Sequence, residues 1–101
     1  MVPDKEMTIK ILRAVKEHEV LDTNGNAYPG PITVFETAFV CLDLQLLNQY
    51  CKELERQGLL MDSHFPEYFL TDGRSSEVLA FGDCISLGRL TTTGRNLVEN
   101  E

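Results

Sequence analysis

The stretch from Asp43 to Leu60 constrains this chain more than any other, because it carries a clear helical period and a signal at each end. Leu44, Leu47, Cys51 and Leu54 recur at spacings of three and four, so they share one face, with Tyr50 on its flank. Asp43 has the chemistry to cap the first turn and Gly58 to end the last. The spacing predicts one amphipathic helix over 43–57, laid on a core by its apolar side. Its opposite face gathers Gln45, Asn48, Gln49, Lys52 and Arg56, with Glu53 and Glu55 at the margins. That face is either a solvated surface or one that reads a partner.

A chain of 101 residues is the size of one domain, and residues 1–101 are expected to form it around a single core. The longest apolar run, Ala38 to Leu42, is far too short to span a bilayer. Met-Val-Pro-Asp-Lys-Glu leads straight into a charged segment with no apolar signal region, so the expected location is cytoplasmic, away from membranes. Cys41, Cys51 and Cys84 are odd in number and lack Cys-x-x-Cys spacing. They read as reduced thiols, and no metal or other cofactor is expected. The net charge of -7 favours solubility and repels nucleic acid at long range, though a local patch of other character still binds.

Before the main helix, Pro3-Asp4 starts a first helix over roughly 4 to 18. Met7, Ile11, Leu12 and Val15 form its apolar side, and Lys5, Lys10, Arg13 and Lys16 face water. The Asn-Gly step and the two prolines between Val20 and Pro31 forbid a helix there, and Asn24-Gly25 turns a short hairpin or a loop tip. Asp22, Asn24 and Asn26 imitate the opening of a calcium loop. That loop wants glycine where Ala27 stands and a carboxylate where Thr33 stands, so the match is a decoy. Ile32 to Leu42 reads as a strand entering a helical turn. After Gly58, Leu59-Leu60-Met61 reads as a strand, and Tyr68 to Thr71 and Val78 to Phe81 form a hairpin around Asp72-Gly73. Ile85 to Leu90 forms the last strand, and Thr91 or Thr92 caps a short terminal helix carrying Leu97 and Val98.

Two motifs within this order carry a family resemblance. Leu47 to Leu60 is similar to the Leu-x-x-Leu...Gly-Leu-Ile ending of recognition helices in bacterial winged-helix proteins. Leu90-Thr91-Thr92-Thr93-Gly94-Arg95 is similar to the Leu-Thr-x-x-Gly-Arg with which many of them leave the wing. The chain thus resembles the winged-helix variant of the helix-turn-helix, and a small bacterial and phage family of that kind without an assigned function. The resemblance implies an α+β fold of amphipathic helices on a small antiparallel sheet, with an insertion in 61–84, which is longer than a simple wing. It also implies that the 43–57 helix enters the major groove. Gln45, Asn48, Gln49, Lys52 and Arg56 would then meet bases and phosphates, and Arg74 or Arg89 the backbone.

No catalytic set stands out. His18 closes a helix end, and Ser63-His64 beside Asp62 has triad residue types, but neighbours on a strand point to opposite faces. The expectation is a non-enzyme, a DNA-binding transcription regulator that contacts DNA through the 43–57 helix; the alternative is an acidic module that docks or inhibits a protein partner. A regulator of this size needs a homodimer to span two half-sites, and surface leucines of the terminal helix are available for one.

Overall fold

The computed structural model describes residues 2–28, 30, 32–33, 40, 43–65 and 84–100. Helix α1 runs Lys5–Glu17 because Asp4, with extended backbone, accepts the Met7 N–H at 2.7 Å and so satisfies a donor that the helix itself leaves open. His18 closes it, its Nδ1 lying 2.9 Å from the Ala14 carbonyl oxygen. The buried side is wider than the sequence period suggests. Thr8, Ile9 and Ala14 are buried together with Ile11, Leu12 and Val15.

The turn expected at Asn24-Gly25 joins β1 (Val20–Leu21) to β2 (Ala27–Tyr28) as an antiparallel hairpin. Asp22 accounts for the turn, its Oδ1 accepting the N–H groups of both Asn24 and Asn26 at 2.8 Å. The Asn26 N–H leads the interactions that hold the Asp22 carboxyl below its ordinary range. A loop residue that imitates a calcium ligand is therefore used to fold its own backbone.

Strand β3 (Ile32–Thr33) follows, then α2 (Leu44–Arg56), β4 (Leu60–Met61), β5 (Cys84–Ile85), β6 (Arg89–Leu90) and α3 (Thr92–Glu99). The stretch from Cys84 to Leu90 is shared by two antiparallel neighbours. Its first part pairs with β3, Ile32 opposite Ile85, and its later part with β4, Leu60 opposite Leu90 and Met61 opposite Arg89. His64 bridges Ser86 in that same register through two backbone bonds of 2.8 and 3.0 Å. Between these pairings the ladder kinks at Asp62, whose φ of 62° is a conformation aspartate tolerates better than most residues. Of the expected strand Leu59-Leu60-Met61, Leu60 and Met61 form β4 and Leu59 lies outside it, and the partner of β4 among the described residues is β6. The expected hairpin of Tyr68 to Phe81, and the helical turn expected to follow β3, lie outside the described residues.

One core joins these elements. Ile11, Leu12 and Val15 of α1, Leu47, Cys51 and Leu54 of α2, Leu60, Ile85, Leu87 and Leu90 of the strands and Val98 of α3 are buried in one cluster, with Tyr50 packed against it. The architecture is α+β. Among the described residues no helix is long and apolar enough to cross a membrane.

The two motifs that suggested a fold touch each other. Gly58, at φ +79°, ends α2 in the left-handed conformation that glycine accepts without steric cost, and Leu59 N–H returns to the Leu54 carbonyl at 2.9 Å. The Thr91 hydroxyl donates to the Gly58 carbonyl at 2.6 Å and accepts the Gly94 N–H at 3.0 Å, so it caps α3 while pinning it to the end of α2. At Gly94 the helix approaches so closely that a Cβ would lie 2.1 Å from the Leu59 carbonyl oxygen. Arg95 then pairs with Glu19 across to the end of α1.

Candidate contact surface

The outward face of α2 is built by its caps and its apolar stripe. Asp43 Oδ1 accepts the Leu46 N–H at 3.1 Å and fixes the first turn. Burial of Leu44, Leu47, Cys51 and Leu54 then sets the rotation of the helix about its axis. Gln45, Gln49, Lys52 and Arg56 are exposed in consequence, and Asn48 is half-buried. Four of the five residues expected on this face are therefore exposed, and Asn48 lies at its margin. Arg89 reaches the neighbourhood from β6, and Arg74 lies outside the described residues.

The electrostatics of the face differ from its composition. Arg56 grips Glu53 through both its Nε, 3.0 Å from Oε2, and a terminal nitrogen on Oε1. Gln57 adds a third donor at 3.3 Å. These bonds, the Arg56 contribution first, pull the Glu53 carboxyl from the usual range to about 2 and raise the Arg56 guanidinium in turn. Arg56 keeps 72% of its side chain exposed while Glu53 keeps 16%, so the acid lies beneath the base that covers it.

A second group ties α2 to the segment that follows β4. The Glu55 carboxylate accepts both the N–H of Ser63, at 2.8 Å, and its hydroxyl. The Lys52 ammonium donates to the Ser63 carbonyl at 3.3 Å and to its Oγ at 3.2 Å, and lies 3.6 Å from Glu55. Ser63 is buried, so its polar atoms need these partners. Arg89 Nε sits 3.0 Å from Asp62 Oδ2, close enough for an ion pair but out of line for a hydrogen bond.

The helical spacing puts Glu53 and Glu55 at the margins of the face. The structure engages both, and it adds Asp62 and Ser63, which the sequence marked only as types found in a triad. Ser63 is instead the point where Lys52 and Glu55 meet, a juxtaposition across eleven residues that no local spacing announces. Cys51 lies in the core as a thiol, as its place on the apolar face requires. Compared with protein-family models, curated proteins and solved structures, the chain has no match.

Proposed function

We propose that the chain is a winged-helix-type binding module that docks a protein partner through the outward face of α2 and the adjoining β4 and β6. The order helix, strand, helix, paired strands and helix supports the winged-helix reading, together with the placement of the Cys84 to Leu90 stretch between β3 and β4. A single observation carries the choice of partner. Among the described residues, each cation of the face is held by its own carboxylate: Lys52 by Glu55, Arg56 by Glu53 and Arg89 by Asp62. Asp43 adds a further acid at the start of α2, on a chain whose net charge is already -7. Such a surface is polar and close to neutral, with no positive field to concentrate phosphates. It suits a protein surface that supplies donors and acceptors to Gln45, Gln49 and the rims of these pairs.

The DNA-binding regulator stands as the second reading, favoured by one feature of its own. Gln45 and Gln49 are exposed one turn apart on α2, where glutamine can bond adenine bidentately, and exposed ion pairs of this kind are cheap to exchange for phosphate.

A salt series separates the two. Lys52, Arg56, Arg89 and Arg74 together would release enough counterions for a slope of log affinity on log salt no steeper than about -4. The informative variant is Glu53→Lys alone, since Glu55 holds Ser63 and its reversal would disturb the fold. For a protein-docking face, a pool of random duplexes should not bind even at low salt, and a purified partner should lose affinity on Gln45→Ala and Gln49→Ala. Duplex binding that strengthens with Glu53→Lys and follows that salt slope would replace the protein reading with the DNA reading.

A further inference from the structure

A contact surface on α2 leaves the opposite side of the first helix without a role. There, Ile9 and Ala14 of α1 and Val40, all buried, line an open groove of about 760 Å³. The size is that of a small-molecule site, which spans roughly 300–1,000 Å³ in folded proteins. Lys10 and Arg13, three residues apart and so neighbours on the helix surface, stand at its rim and are exposed.

Their charge state in the fold is unusual for this chain. Lys16, Lys52, Arg56, Arg89 and Arg95 each lie within ion-pair distance of a carboxylate. Lys10 and Arg13 do not, among the described residues, although acids outnumber bases 16 to 9 in the sequence. The rim also carries Lys5, Glu6 and Glu17, so the described lining residues are positive by one charge. An apolar floor beside two adjacent, uncommitted cations is complementary to a ligand with an apolar body and an anionic head.

We propose that this groove binds a small amphipathic anion, a monocarboxylate or phosphate monoester on an apolar chain or ring. Its tail lies against Ile9, Ala14 and Val40, and its head is held between the Lys10 ammonium and the Arg13 guanidinium, whose planar fork matches two oxygens of such a head. The site is independent of α2, so it stands or falls apart from the partner of that helix.

The test is a titration of the full chain with decanoate and with decyl phosphate, below their micellar concentrations, followed by the backbone amide signals of α1. Saturable shifts centred on Ile9, Arg13 and Ala14 are expected with at least one of the two, and the better ligand identifies the head group. The K10Q/R13Q variant should weaken binding about tenfold or more, the consequence of losing charge-assisted hydrogen bonds. Both residues are exposed, so an unchanged circular dichroism spectrum and unfolding midpoint would show that the variant still folds. K16Q, on the same helix outside the groove, should bind as the wild type does. Absence of saturable binding, an equal affinity for uncharged decanol, or binding that K10Q/R13Q leaves unchanged would overturn the proposal. Shifts produced only by an acidic peptide would overturn it too, in favour of a peptide groove.

Discussion

A Cβ at Gly94 would lie 2.1 Å from the Leu59 carbonyl oxygen and 3.0 Å from its carbon, both backbone atoms that cannot swing aside. The glycine of the Leu-Thr-x-x-Gly-Arg pattern thus stands where α3 meets the end of α2. Valine at this position should cost roughly 1–3 kcal/mol by overpacking. Alanine already introduces the clashing atom and should show a large part of the loss. Denaturant midpoints for Gly94→Ala and Gly94→Val check this, and a wild-type midpoint for both would remove the packing argument. Glu53 makes a different prediction at the same scale. Its carboxyl is held at about 2 by Arg56 and Gln57 against an ordinary value near 4.5, so the folded state binds its proton less readily than the unfolded chain does. The stability that this group adds is complete above pH 4.5 and is lost as pH falls toward 2. Carbonyl-detected titration should place Glu53 well below the ordinary glutamate value, and Arg56→Gln should return it toward that value.

At the scale of elements, the ends of the helices were legible because capping is local chemistry. Asp4, Asp43 and Thr91 each accept an N–H from three residues ahead, a geometry written in four consecutive residues. Thr91 does more than the other two, since its hydroxyl also donates to Gly58 at 2.6 Å, thirty-three residues away. Asp43→Ala should therefore cost about 1 kcal/mol, the ordinary loss of a cap. Thr91→Ala should cost more, by about 0.5–1.5 kcal/mol for the second hydrogen bond, while Thr91→Ser retains both. Chemical denaturation of the three variants ranks them, and equal losses for Asp43→Ala and Thr91→Ala would show that the link to Gly58 contributes nothing. The strands were less legible. Leu60–Met61 and Arg89–Leu90 are only two residues long, too short for alternation to declare a partner, and their pairing is fixed by the core beneath them.

For the whole molecule, a single cluster joins α1, α2, the strands and α3, and Cys51 is fully buried within it. In a Cys41→Ser/Cys84→Ser background, its thiol should resist thiol reagents in the native state and react at the denaturant concentration where helical signal is lost. Reaction well before that point would place Cys51 in a separately opening part. The sequence by itself determined the helices, their caps, the turn at Asn24-Gly25 and which residues of α2 face outward. All of these follow from spacings within one element, where backbone geometry leaves one solution. Tertiary structure decided the rest. It set Ser63 between Lys52 and Glu55, seated Thr91 and Gly94 against Gly58 and Leu59, and paired β6 with β4. It also brought Arg89 of β6 to Asp62, whereas the pairs Lys52–Glu55 and Arg56–Glu53 lie three residues apart on one helix, a spacing at which side chains are neighbours. Two of the three pairings were therefore within reach of the helical spacing, and only the partner of Arg89 needed the fold.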